Sequence, residues 1–299
     1  MVPADNPAHP AATVILLRDA AEGPETFLVR RNAGTAFMAG QHVFPGGRVD
    51  AADHQPGGAS WLDAAERAAG HWPDLSPADA VAYHVAAARE LFEEAGVLLA
   101  RRTDGGLVSL AAEADQARFD VHRRAVHSGA LTLDALMARE ALRLALDALV
   151  PWAHWVTPPV TTRRFDTRFF VARLPADQTP AHDEAETTAS TWTSPQAALS
   201  SAQRGDIVLP PPTWMTLREL EAFASVDEIL AAAPARERER REPLLTEHEG
   251  ARMMIMPGDP EYGVARAADG APAGVEPPRF ETRFVWRDGQ WRATWYERS

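Results

Sequence analysis

The chain has 299 residues, 45% of them hydrophobic, and a formal net charge of −12; it can bury a core, and its acidic balance argues against binding nucleic acid through a basic surface. No run of about 18 apolar residues occurs, which excludes a helical membrane span, and the absence of cysteine excludes disulfides, thiol catalysis and Cys-ligated zinc. The lack of cysteine is compatible with a reducing cytoplasm, the expected location, and Met1 to Pro10 lack the basic-then-apolar pattern of a secretory signal.

In chain order, residues 11–18 read as a buried strand and residues 25–31 as the second strand of a hairpin. A loop over 32–40, anchored by Phe37 and Met38, leads into a short strand at His42-Val43-Phe44 and the turn Pro45-Gly46-Gly47. Residues 51–75 are alanine-rich, with a short helix expected near Trp61 to Ala69. Ser76-Pro77 is an N-cap followed by proline at the first helical position, opening a helix to about Ala95. Val97-Leu98-Leu99 reads as an apolar strand or helix exit. Residues 109–148 are largely helical in pattern, with apolar helical spacing from Ala135 to Leu149; His122 and His127 read as solvated. Strands are expected at 152–156, 163–174 and 187–193, and helices after Ser194-Pro195, after Pro210-Pro211-Pro212 and over 226–233. The alternating charges of residues 236–242 read as a solvated helix end or linker. Residues 253–256 read as a strand, 265–278 as a loop and 279–297 as a hairpin turning at Asp288-Gly289, with Trp286, Trp291 and Trp295 packing the hairpin or forming a dimer surface. No repeat and no clean linker is visible, so one elaborated domain over 1–299 is expected.

One stretch carries chemistry: Arg89-Glu90-Leu91-Phe92-Glu93-Glu94-Ala95-Gly96-Val97. Glutamates at i, i+3 and i+4 share one helix face. A solvated acidic face is one reading. The other is a site for a hard divalent cation, since clustered carboxylates repel and Mg²⁺ takes carboxylates together with substrate phosphates. The glycine pair upstream favours the second reading, because glycine allows close approach of the backbone.

Phe-Pro-Gly-Gly at 44–47 followed by this stretch resembles the two halves of the Nudix box, G-x5-E-x7-R-E-U-x-E-E-x-G-U with U apolar. The second half matches at every fixed position. The first half departs: Gly47 precedes Arg89 by 42 residues, an insertion of about 28 relative to the pattern. The box's first glutamate would fall at Val81; Asp79 is the nearby acid. The stretch from Phe37 to Asp53, with Arg164-Phe165-Asp166-Thr167 and Leu209 to Thr213, is similar to the coenzyme A diphosphatase-type subgroup of the Nudix hydrolases.

The resemblance implies an α/β/α (α+β) Nudix sandwich with a mixed sheet, a core over about 11–223, helical insertions at about 51–75 and 100–149, and a C-terminal extension at about 243–299. It implies Mg²⁺- or Mn²⁺-dependent hydrolysis of a nucleoside diphosphate linked to another group, first coenzyme A or acyl-CoA, giving 3′,5′-ADP and 4′-phosphopantetheine. ADP-ribose, NAD(H), dinucleoside polyphosphates and capped RNA ends are alternatives on the same chemistry, and a non-catalytic nucleotide-binding regulator is the alternative outside it. By the same resemblance Glu90, Glu93 and Glu94 bind metal, Arg89 orients them, and Glu186 is the added acid or else an exposed loop residue. Arg31, Arg48, Gly46, Gly47, Phe37 and His42 are the candidate substrate contacts, with a small-molecule nucleotide as partner, no membrane, and a homodimer as the assembly to look for.

Overall fold

A computed structural model of the chain describes residues 6–34, 38–54, 60–159, 161–248, 250–259, 261–262, 282–288 and 290–294. The opening hydrophobic runs form an antiparallel hairpin of β1 (His9–Ala20) and β2 (Gly23–Arg31). β3 (His42–Val43) pairs with β2 and β4 (Gly46–Arg48) with β1. A 3-10 turn over Ala51–His54 precedes β5 (Leu62–Asp63), α1 (Ala65–Ala69) and α2 (Pro77–Ala95). Helix α2 starts where expected: the Ser76 side chain accepts from the Asp79 amide, Pro77 follows, and Gly96 ends the helix at φ 71°.

The segment after α2 holds β6 (Ala100–Arg101), α3 (Glu113–His127), α4 (Leu133–Glu140) and β7 (Arg143–Ala145), with β5, β7 and β6 forming a small sheet. The helix expected to reach Leu149 stops at Glu140. Ala141 turns left-handed (φ 51°) and β7 pairs on both sides, burying Leu144; apolar spacing alone did not separate strand from helix there. His122 is 6% exposed and its Nε2 lies 2.8 Å from Glu140, so it is a buried paired histidine and not a solvated one. Val97, Leu98 and Leu99 are buried and lie outside any strand, with the Leu99 carbonyl accepting from Ala145 N of the strand at Arg143–Ala145. The Gln178 side chain satisfies the backbone of Leu98, accepting from Leu98 N and donating to the carbonyls of Leu98 and Val108.

β8 (Val150–Val156), β9 (Phe165–Arg173), β10 (Thr187–Thr193), α5 (Pro195–Arg204), α6 (Pro211–Leu220) and α7 (Val226–Ala232) follow as expected. Residues 236–242 are not a solvated linker: β11 (Arg240–Arg241) adds to the sheet edge parallel to β8. The arginines lie on aromatic faces, Arg236 3.8 Å from the Trp152 ring and Arg241 5.3 Å from that of Trp155. Glu219 accepts from both arginines and from the Trp152 indole. A charge pattern hides this arrangement because the partners are distant in sequence.

The main sheet runs β10-β2-β1-β9-β8-β11 among the described residues, with β1 parallel to β9 at its centre. Alternation along the strands divides the core. Val14, Leu16, Phe27, Val29 and Phe170 pack under α2 and the insertion, while Ile15, Leu17, Leu28 and Val171 pack with α5, α6 and α7. This is the expected helix–sheet–helix sandwich. In the C-terminal part β12 (Leu244–His248), β13 (Ala251–Ile255), β14 (Arg283–Arg287) and β15 (Gln290–Thr294) form an antiparallel sheet whose Met254 and Phe284 join the second cluster. The expected hairpin is there, with Trp286 and Trp291 edge to face at 5.1 Å; Gly289, Trp295 and the loop expected at 265–278 lie outside the described residues. Among those described, no helix is long and apolar enough to cross a membrane.

Candidate active site

Helix α2 crosses β1 and β4 and lays its acidic face on the glycine turn. Gly46 pairs with Thr13 of β1 so closely that a Cβ would stand 2.4 Å from the Ala12 carbonyl oxygen. Gly47 meets the carboxylate of Glu90, where a Cβ would be 2.4 Å from Oε1. The Gly46 N–H donates to Glu94 Oε2 at 2.9 Å. The two halves of the motif, far apart in sequence, are therefore in contact.

Glu90 and Glu93 are each 9% exposed and Glu94 is 2% exposed. Arg89 serves two of them, its NH1 donating to Glu90 Oε1 at 2.9 Å and to Glu93 Oε1 at 3.4 Å. Its other edge turns away: Nε and NH2 donate to Asp53 Oδ1 and Oδ2 at 3.0 and 2.9 Å, and NH2 also to the Arg48 carbonyl at 2.8 Å. Burial opposes the charge on Arg89, but the Asp53 hydrogen bonds and the charges of Glu90, Asp53 and Glu93 outweigh it and hold the guanidinium protonated well beyond its ordinary range.

The carboxylates are under-compensated. Burial pushes the Glu90 carboxyl up to about 8, with Arg89 opposing and Glu93 adding. Burial, then the Glu90 charge, raise Glu94 well above its usual value, against the Gly46 amide and Arg31. Burial also raises Glu93, with Arg89 and His127 acting the other way. Among the described residues no three acidic or histidine side chains already converge as a closed metal cage; they are turned onto Arg89 and the Gly46 amide. The donor set nonetheless fits a hard divalent cation: three buried carboxylates, of which Glu94 has no cation in hydrogen-bond contact among the described residues.

The remaining candidates divide. Arg31 and Glu186 both act electrostatically on Glu94, and the ends of β2 and β10 hold them together: Arg31 faces Thr187 and the Glu186 carbonyl accepts from Asn32 N. Among the described residues the Arg31 Nε is buried without a partner, and so is the side-chain amide oxygen of Gln41, a residue the sequence did not single out. The Arg48 side chain is exposed; its backbone carbonyl is what reaches the site. His42 does not join the acids. It pairs with Arg30 across β3 and β2 while Val43 packs under α2, so it lies on the other side of the sheet. Burial and Arg30 lower its pKa. Phe37 lies outside the described residues. Asp79 lies in the first turn of α2, where its N–H donates to the Ser76 cap and its carboxylate accepts from the Ser76 hydroxyl and meets His54, away from the acids.

Sequence reasoning missed Asp53 and Arg123. The first stood in the matched stretch Phe37 to Asp53 without an assigned part. Arg123 of α3 donates through Nε to the Glu93 carbonyl at 2.8 Å and through NH2 to the Ala181 carbonyl at 2.9 Å. Its guanidinium lies 3.0 Å from where a Cβ on Gly96 would be. The insertion thus clamps the C-terminal end of α2 beside the acids; no local pattern signals a contact to a backbone carbonyl.

A family model described as the NUDT19 Nudix domain matches residues 63–220. The human protein named acyl-coenzyme A diphosphatase NUDT19 is 33% identical over 296 residues, covering 81% of this chain and 73% of the human one. The Gallus gallus protein of the same name is 30% identical over 276 residues, covering 80% and 72%. A crystal structure of a NUDIX hydrolase from Alicyclobacillus acidocaldarius superposes with a TM-score of 0.62 at 29% identity, over 76% of this chain and 97% of that one.

Proposed function

The chain belongs to the Nudix hydrolase family and is a Nudix-type pyrophosphohydrolase, and from that premise we propose that it cleaves the diphosphate of coenzyme A or its acyl derivatives into 3′,5′-ADP and (acyl-)4′-phosphopantetheine. The observation carrying the catalytic part is the packing of Glu90, Glu93 and Glu94 against Gly46-Gly47 with one guanidinium among them. The substrate rests on the likeness to relatives named acyl-coenzyme A diphosphatase.

In this reading Glu90, Glu93 and Glu94 hold Mg²⁺ or Mn²⁺. When bound, such an ion offsets diphosphate charge and lowers the pKa of water. Arg89 keeps Glu90 and Glu93 side by side, and the Gly46 amide holds Glu94 toward the turn. Arg31, with its buried Nε unpartnered, meets a substrate phosphate. Glu186, exposed at the start of β10, takes the proton of the attacking water. Incubation with coenzyme A, acyl-CoA, ADP-ribose, NAD(H), dinucleoside polyphosphates and capped RNA in Mg²⁺ or Mn²⁺ tests the substrate. Fastest turnover with release of phosphopantetheine is expected on the coenzyme A compounds; no release from coenzyme A overturns the assignment.

A pH dependence follows. The folded, metal-free protein keeps Glu90 protonated up to about pH 8, whereas the unfolded chain releases that proton near the ordinary value of 4.5. Metal-free stability therefore falls as pH rises between those values, since the native state binds more protons there. A cation must displace those protons, so binding at pH 7 releases protons and tightens from about pH 6 to 8. Calorimetric titration with Mg²⁺ in buffers of different ionisation enthalpy measures this; binding without proton release would contradict it.

A further inference from the structure

We propose that Asp53 is the positioning residue of this site, holding Arg89 so that its free edge stays on Glu90 and Glu93, while the position of the Nudix pattern's first glutamate is occupied by Val81. This rests on the reading of Glu90, Glu93 and Glu94 as the cation site.

A guanidinium is a rigid planar fork, so gripping one edge aims the other. Asp53 takes the Nε/NH2 edge of Arg89 in a two-oxygen grip at 3.0 and 2.9 Å. That leaves NH1 pointed at Glu90 and Glu93. Asp53 is 2% exposed, and its Oδ2 also accepts from the Asp50 amide at 2.8 Å. Both its oxygens are thus committed, one to Arg89 and one to Arg89 and the turn, which makes it a support for the metal-facing acids and not a further ligand.

The geometry also explains why the acid is not at 81. Val81 lies inside α2, which begins at Pro77. Eight residues of helix place it about 12 Å along the axis from Arg89, and they turn it off the acidic face. It packs against the apolar core instead. The support has to come from another element, and the turn that follows β4 runs directly under Arg89. The family-model match at residues 63–220 begins downstream of this turn.

The test is Mn²⁺ affinity by electron paramagnetic resonance, with kcat and KM on coenzyme A alongside. Asp53→Asn keeps the shape and removes the charge. It is expected to weaken Mn²⁺ about 10–100-fold, the usual range for a residue behind a metal ligand, and to lower kcat more than it raises KM. If Asp53 works through Arg89, the substitution adds nothing in an Arg89→Ala background; additive losses would show a merely structural part and overturn the proposal. So would wild-type affinity in Asp53→Asn. Should that variant not fold, Arg89→Lys replaces the fork by a point charge, and Mn²⁺ binding equal to wild type would overturn the proposal equally. A wild-type protein that binds no Mn²⁺ sinks the metal-site reading itself, a different outcome from any of these.

Discussion

Replacing Glu94 with glutamine is expected to lower kcat/KM on coenzyme A by at least about a thousandfold, the loss of roughly 4 kcal/mol of transition-state stabilisation that a mis-held metal would cause. The same substitution is expected to leave the metal-free thermal midpoint unchanged or raised. Glu94 is 2% exposed, its charge is disfavoured by burial and by Glu90, and among the described residues no cation is in hydrogen-bond contact with it. A neutral amide relieves that conflict and still accepts from the Gly46 N–H. Loss of activity with retained stability separates a site residue from a structural one. Unchanged hydrolysis in Glu94→Gln would remove the three-carboxylate site from the mechanism.

Alanine at the two glycines should have opposite consequences, and this contrast is the second large effect expected. At Gly46 the new Cβ would meet backbone, 2.4 Å from the Ala12 carbonyl oxygen and 2.7 Å from Thr13 Cα. The strand pairing cannot yield cheaply, so Gly46→Ala is expected to destabilise the fold by about 2–3 kcal/mol, toward the upper part of the range for overpacking. At Gly47 the obstruction is the Glu90 carboxylate, a side-chain end that can swing aside. Gly47→Ala is expected to keep the melting temperature within a few degrees while hydrolysis falls about a hundredfold or more, because Glu90 leaves its place beside Arg89. Thermal melts and kcat/KM on both variants check this. Full activity in Gly47→Ala would show that the close approach to Glu90 is dispensable.

How far the sequence could be read depended on whether a residue's part was set by its neighbours in the chain or by distant ones. The strands at 11–18 and 25–31, the Ser76-Pro77 start of α2 and the helix after Ser194-Pro195 rest on local patterning and capping, and the fold follows them. The face shared by Glu90, Glu93 and Glu94 is helical arithmetic. Four features were not local. Residues 141–149 leave the helix because β5 and β6 offer β7 a partner on either side. Arg236 and Arg241 are drawn to the sheet by Trp152, Trp155 and Glu219. His42 is a candidate substrate contact by resemblance, and strand alternation puts it on the side of the sheet away from the acids. Asp53 ends the stretch that resembles the subgroup, and only the fold shows that it meets Arg89.

The contact of Gly46, Gly47 and Asp53 with Arg89, Glu90 and Glu94 also bears on how the molecule assembles. A chain with the uninterrupted box closes this contact over 14 residues by the pattern, and this one over 42 from Gly47 to Arg89. Loop-closure entropy grows only logarithmically, so tripling the segment costs about 1 kcal/mol. That is small enough for one well-packed apolar side chain to offset, which explains how an insertion is tolerated between the two halves of the motif. The kinetic consequence is larger. The two halves are separated by the segment that carries β5 and α1, a far longer separation than that within the β1–β2 hairpin, so the acid cluster is expected to form after that hairpin during refolding. A divalent ion that binds across that contact would then act as a late clasp, slowing unfolding more than it speeds folding.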